Sequence, residues 1–420
     1  MKSIIFHIDV NSAFLSWEAV FRLKHRGGTL DLRQIPAAVG GDMTMRHGII
    51  LAKSIPAGKY GVRTGESIPE AKKKCPNLML VPPNYSLYER CSVAFMSILR
   101  EYSDVVEQYS IDEAFVDMST TCHLFGTPEE TAGQIRERIC QELGFTVNIG
   151  ISENKLLAKM ASDFRKPNRV HTLYAHEIRE KMWPLPVSDL FFVGRATAKR
   201  LLDLGIRTIG ELAQADPVML RDYLKKQGEV IWGFAHGIDC SPVLSEAPAN
   251  KGYGNSTTAP FDVTDRENAE KILLALAETV GTRLRQDNVQ IEIVAVGIRF
   301  TDLSYVSHRK ILSSSTNITG EIYRAACELF RELWNGAAIR HLGIHTCRVQ
   351  SGEFARQLSL FDEVDYGKLM KADETMDNIR SRYGIDSVKR AVFLNQPIDH
   401  MCGGISREKR EVDYSKLRIE

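Results

Sequence analysis

A chain of 420 residues is too long for one ordinary core and should divide into about three or four domains. With 44% hydrophobic and 25% charged residues it has a globular composition, neither disordered nor membrane-embedded, and no apolar run approaches the ~20 residues a membrane helix needs. A formal charge of +1 at pH 7 neither supports nor excludes a polyanionic partner, because a near-neutral chain can still hold a local basic groove.

The N-terminus, MKSIIFHIDV, has too short an apolar part and reaches Asp9 too soon for a signal peptide, so a cytoplasmic location and no membrane contact are expected. Ser3–Val10 reads as a short buried strand ending in an acid, and Ala13–Lys24 as a helix that Asn11 or Ser12 is placed to cap. The stretch from Gly27 to Gly65 is turn-rich, with short apolar runs such as Ile49–Ala52. Glu66–Lys74 reads as a helix stopping before Pro76, Leu78–Pro82 as a strand, and Leu87–Tyr102 as a long amphipathic helix. Val105–Met118 predicts a strand pair interrupted by Asp112 and Glu113. Glu129–Leu143 predicts a helix, Phe145–Ile151 a strand, and Glu153–Phe164 a helix closed by Lys166-Pro167-Asn168. This strand–helix–strand–strand–helix–strand order points to a mixed sheet with helices on it.

Val187–Trp232 holds only short helices around a Gly-centred unit, and Gly237–Lys251, with two prolines and small polar residues, reads as a linker. Asn255–Gln350 returns to α+β patterning, with strands at Ile291–Phe300 and His345–Val349 and helices at Glu267–Arg285 and Glu321–Trp334. From Gly352 onward an exposed, tail-like region is expected, carrying one helix at Tyr366–Tyr383. The eight cysteines are scattered without a CxxC pair, which indicates neither a zinc site nor a disulfide framework.

Asp9 at a strand end and the Asp112-Glu113 pair on another strand form a plausible carboxylate set for hard divalent cations, and a buried acid must be paired or metal-bound. Alone this is a weak signal, since Asp-Glu pairs are common by chance. The turn from Asp9 into a helix would offer free amides and a positive dipole end to a triphosphate. Its plain alternative is a Ser-capped helix with Phe14 in the core.

HIDVNSAFLSWE and YSIDEAFVDMS resemble the two catalytic motifs of the Y-family DNA polymerases. The similarity continues through GVRTGESIPEAKKKCPNL, REYSDVVEQYSIDEAF and GISENKLLAKMASDFRKPN, and reaches about Leu394. The resemblance implies an α+β multidomain protein: a right-hand polymerase with a ferredoxin-like palm, small fingers, a helix-hairpin-helix thumb and an α+β little finger. Residues 1–17 and 75–168 would be palm, 18–74 fingers, 169–236 thumb, 237–250 linker, 251–350 little finger and 351–420 a C-terminal region.

It further implies low-fidelity lesion-bypass synthesis with two Mg²⁺ per site, Mn²⁺ being able to substitute. Asp9 and Asp112 would bridge the metals, Glu113 would hold the one beside the primer 3′-OH, and the Val10 carbonyl would ligate the other. Amides of Ser12, Ala13 and Phe14 would contact the phosphates, with Phe14 as the steric gate against ribonucleotides. Lys166 matches a triphosphate-contacting lysine, and Ser110 a small residue beside the acids. Family members often carry a Tyr and an Arg in the fingers where this chain has Ile55 and Gly58. Lys59 is the nearest cation in sequence to replace them, though without arginine's bidentate grip.

Phe192–Ile206 resembles a helix-hairpin-helix, whose Gly turn at Gly194 would offer amides to a DNA phosphate, with Arg195, Lys199 and Arg200 adding positive charge. In the little-finger region Lys251 with the polar run 254–258, and Ser307, Arg309 and Lys310 from a strand, are further phosphate-contact candidates. Gln357-Leu358-Ser359-Leu360-Phe361 resembles the bacterial sliding-clamp binding peptide, with Leu358, Leu360 and Phe361 inserting into an apolar pocket and Gln357 at its rim. The expected partners are therefore primer-template DNA, dNTPs and the clamp, bound by a monomer near the bacterial nucleoid. The alternative is a non-catalytic clamp-binding scaffold. A nucleotidyl cyclase on a related palm is disfavoured by the hairpin and clamp motifs.

Overall fold

The computed structural model describes residues 3–41, 48–352 and 365–403. They fall into two compact units, one holding residues 3–40 and 49–247 and the other continuing from Pro248. Among the described residues no helix is long and apolar enough to cross a membrane.

The first unit opens with strand β1 (Ile5–Val10) and helix α1 (Ala13–His25). Then come β2 (Ala37–Gly40), β3 (Ile50–Lys53), α2 (Ile55–Lys59), α3 (Ile68–Lys74) and β4 (Met79–Val81), the three strands forming a small sheet in the order β3-β2-β4. The chain returns through α4 (Tyr85–Arg100), β5 (Val106–Gln108), β6 (Glu113–Asp117), α5 (Pro128–Leu143), β7 (Val147–Ser152), α6 (Lys155–Asp163) and β8 (Val170–Thr172). With β1 these strands make a five-stranded sheet in the order β5-β6-β1-β7-β8, so the first strand lies in the centre. Alternation then sorts β1 by face. Phe6, Ile8 and Val10 pack with Ala114, Val116, Val147, Ile149 and Ile151 against the stripe Leu87, Tyr88, Phe95, Leu99 of α4 and Ile135, Ile139 of α5. The opposite face carries Ile5, His7 and Asp9, and Ile5 joins Phe115 and Ala158 there.

Local chemistry fixes the helix ends. Thr127 and Glu130 form a reciprocal capping box with Pro128 in the first turn of α5, and Gly144, at φ 80°, ends that helix in the left-handed region. The cap expected for α1 is not made. Ser12 takes the N-cap position in a left-handed conformation (φ 49°, ψ 51°), and its side chain accepts no helix amide. Asn11 is engaged elsewhere: its Nδ2 donates to Asn148 Oδ1 at 3.2 Å, and its Oδ1 accepts from Thr146 Oγ1 and the Asn168 amide. The first-turn amides of α1 are thus left to an outside acceptor.

Four short helices follow: α7 (Arg195–Asp203), α8 (Ile209–Gln214), α9 (Pro217–Leu224) and α10 (Lys226–Ala235). They share a core of Leu201, Ile209, Leu212, Leu220 and Ile231. The next stretch has no helix or strand, yet its first part is docked onto the unit. Asn154 Nδ2 donates to the Gly237 carbonyl at 2.9 Å, the Leu156 amide to Asp239 at 3.1 Å and the Leu244 amide to Glu107 at 2.8 Å, while Val243 covers the Ile5–Phe115 cluster.

The second unit contains β9 (Gly254–Val263), α11 (Arg266–Gln286), β10 (Val289–Phe300), β11 (Tyr305–Thr316), α12 (Thr319–Leu333), β12 (Ile339–Ser351) and α13 (Tyr366–Tyr383). Its antiparallel sheet runs β11-β10-β12-β9, and α11 and α12 bury Leu273, Leu276, Val280, Ile322 and Phe330 with Ile291, Val296 and Ile344. The region beyond 364 is not the exposed tail expected. Asp373 and Asp377 of α13 pair with Arg285 of α11 at 3.3 and 2.6 Å, Asp373 also accepts the Thr319 amide, and Phe393 and Ile398 join the core. The misreading has a physical cause: α13 docks through charged rather than apolar side chains, so it carries no apolar stripe.

Candidate active site

Strand pairing assembles the carboxylates. Asp9 lies directly opposite Glu113 in the β1–β6 ladder, and the Val10 amide donates to the Asp112 carbonyl at 3.0 Å. Asp9 and Asp112 line one cavity together with Val10, Ser12, Ala13, Phe14, Leu51, Ala52, Lys53 and Thr64. The N-terminus of α1 forms part of its wall. A left-handed residue followed by helix turns successive N–H groups toward one point, a nest suited to an anion.

Each acid is held differently. Asp112 Oδ1 accepts from Ser110 Oγ at 2.7 Å. Lys166 Nζ lies 3.0 Å from Asp9 Oδ1 and 2.8 Å from Asp163. Burial pushes the Asp9 carboxyl up to about 7 against the pull of Lys166, so it gains most from a cation. Glu113 moves the other way. Burial works against its charge, but His7, with Nε2 at 3.8 Å, and the Lys159 ammonium at 3.0 Å outweigh it and hold the carboxyl at about 2. His7 is fully buried, and its Nδ1 meets Ser162 Oγ at 2.8 Å. Neither His7 nor Lys159 figured in the sequence reading. His7 was legible there, since a residue two before Asp9 on a strand shares its face.

Phe14 is half-buried at the cavity wall, stacked on Tyr88 with centroids 4.5 Å apart and planes 8° from parallel. Lys59 is exposed at the end of α2 and is not among the lining residues; the lysine that does line the cavity is Lys53. Gly194 caps α7, and Arg195 and Lys199 are exposed on that helix. Arg200 instead donates to the Tyr223 carbonyl and lies over its ring. In the second unit Lys251 and Arg309 are exposed, and Lys310 pairs with Glu328 at 2.5 Å. Gln357, Leu358, Leu360 and Phe361 lie outside the described residues.

Comparison with known proteins follows the same division of the chain. Residues 8–163 match the impB/mucB/samB family, 250–360 its C-terminal domain and 176–206 the IMS family HHH motif. The DNA polymerase IV of Clostridium acetobutylicum is 45% identical over 397 residues, covering 94% of this chain and 99% of that one. DNA polymerase IV 1 of Bacillus subtilis is 36% identical over 395 residues, covering 94% of each. Among solved structures, a Y-family DNA polymerase chimera of Dbh and Dpo4 superposes with a TM-score of 0.71 at 24% identity, over 83% of this chain and all of the other, a likeness of fold.

Proposed function

The chain belongs to the Y-family of DNA polymerases and is a DNA-directed DNA polymerase, and we propose that it performs low-fidelity, lesion-bypass synthesis by nucleotidyl transfer at the cavity bounded by Asp9, Asp112 and Phe14. One observation carries the assignment: two carboxylates, the open amides of a helix N-terminus and an aromatic wall share one cavity, with Glu113 paired beside Asp9. In this reading the five-stranded sheet and its helices are the palm, the small sheet with α2 and α3 the fingers, the α7–α10 cluster the thumb and the second unit the little finger.

Three carboxylates and the Val10 carbonyl are an all-oxygen donor set of the kind Mg²⁺ and Mn²⁺ take. Positive charge at the acids comes here from Lys166 and Lys159, which supports a site suited to cations. Asp9, Asp112, Glu113 and the Val10 carbonyl would hold the ions, Glu113 beside the primer 3′-OH and the Val10 carbonyl beside the nucleotide. Such ions would supply activation of the 3′-oxygen and neutralisation of the leaving pyrophosphate. The protein's own groups do the rest. Amides from Ser12 to Phe14 hold phosphate oxygens, and Phe14 fills the space a ribose 2′-OH would need. Lys166, shared between Asp9 and Asp163, is free to turn to a phosphate. His7 and Lys159 fix the Glu113 carboxylate and keep it ionised.

Gly194, Arg195 and Lys199, with Lys251, Arg309 and Lys310, would grip DNA phosphates without reading sequence. Gln357–Phe361 would tether the monomer to a sliding clamp, raising its effective concentration at the primer end. Primer extension with purified protein, Mg²⁺ and dNTPs decides the matter. Template-dependent extension is expected, whereas clamp and DNA binding without any extension would mark a non-catalytic scaffold.

A further inference from the structure

Lys53 ends β3, paired with Ala38 of β2, and is the only lysine or arginine among the described residues lining the cavity. Two other lysines near the acids have carboxylate partners, Lys166 with Asp9 and Asp163, from which it would turn to a phosphate, and Lys159 with Glu113. Lys53 forms no ion pair with any described residue and is half-buried. An ammonium at a cavity wall without a protein counter-ion can make a charge-assisted hydrogen bond to an anion that enters beside it.

Its seat is provided by Gly58. A Cβ at that position would lie 2.9 Å from Lys53 Nζ, so the ammonium sits against the bare backbone of Gly58 and a side chain there would shift the flexible end of Lys53. The position where relatives often carry an arginine side chain is here bare, and a lysine from the neighbouring strand sits against it. Lys59, the cation that sequence proximity favoured, does not line the cavity.

We propose that Lys53 is the cationic contact for the β,γ end of the incoming triphosphate, with Gly58 making room for it. This rests on the polymerase reading above. The α-phosphate, where the bond to the primer forms and the bond to pyrophosphate breaks, has to lie at Asp9 and Asp112. The rest of the triphosphate then spans from the α1 amides to Lys53, the cation that a different element adds to the described lining. A charged donor on a phosphate is worth roughly tenfold or more in affinity.

The test is single-nucleotide incorporation by wild type, Lys53→Ala and Lys53→Met, the second keeping the apolar stem should the first fold poorly. The readouts are KM for dNTP, kcat, inhibition by inorganic pyrophosphate, and primer-template affinity. We expect KM to rise roughly tenfold or more, the pyrophosphate inhibition constant to rise with it, and DNA affinity to stay within about twofold. An unchanged KM in both variants overturns the assignment. So does a raised KM with unaltered pyrophosphate inhibition, or a larger effect from Lys59→Ala. Wild-type protein that incorporates nothing would instead sink the polymerase reading, and this contact with it.

Discussion

At the scale of single residues, Phe14, the proposed gate against ribonucleotides, is also a packing residue. Its ring is held flat on Tyr88, with Trp17 at 5.9 Å and Tyr85 at 6.2 Å, so it cannot swing away from the cavity without breaking three aromatic contacts. Phe14→Ala should therefore admit ribonucleotides, lowering the ratio of dNTP to rNTP incorporation by roughly tenfold or more. A ratio that stays put would move the gate elsewhere. Asp9, Phe14, Asp112 and Glu113 were legible in the sequence because each sits in a run of residues at fixed spacing. Lys53 was not: it reaches the cavity through the pairing of β3 with β2 and the missing side chain of Gly58, and local spacing encodes neither.

At the scale of elements, the site depends on how closely α6 lies on β7. Gly150 faces that helix, and a Cβ there would fall within the van der Waals envelope of the Ala158 carbonyl oxygen and the Ser162 amide. Gly150→Ala should thus push α6 off the sheet. With it would go Lys159, which positions Glu113, and Ser162, which bonds His7. We expect a loss of about 1–3 kcal/mol or more, read as a lower denaturation midpoint, together with reduced extension. An unshifted midpoint would mean that the contact is looser than described. The strands and helices with clean apolar periodicity, such as β1 and α4, could be read directly from sequence. Strand β11 is less plain, because its outward residues are mostly exposed and His308 and Lys310 interrupt its inward set, so no clean alternation marks its bounds. The docking of α13 could not be read, because it relies on Asp373 and Asp377 meeting Arg285.

At the scale of the whole molecule, catalysis and tethering are assigned to separate parts of the chain. Replacing Leu360 and Phe361 with Ala should abolish binding to purified sliding clamp while sparing short, clamp-free extension. Buried apolar anchors dominate small interfaces, each costing over ~1–2 kcal/mol to truncate. Unchanged clamp affinity would make the segment structural, and an equal loss of clamp-free activity would place it inside the polymerase core. The most direct measurement of the polymerase assignment itself is single-turnover primer extension by Asp112→Asn at ordinary Mg²⁺, with the melting temperature recorded in parallel. The substitution keeps the shape of the side chain bonded to Ser110 but removes one charge from the carboxylate set. Loss of several kcal/mol of transition-state stabilisation, roughly a thousandfold or more in rate, with an unchanged melting temperature is the expected result. Extension at the wild-type rate would remove Asp112 from the chemistry and contradict the assignment of this cavity as the polymerase active site.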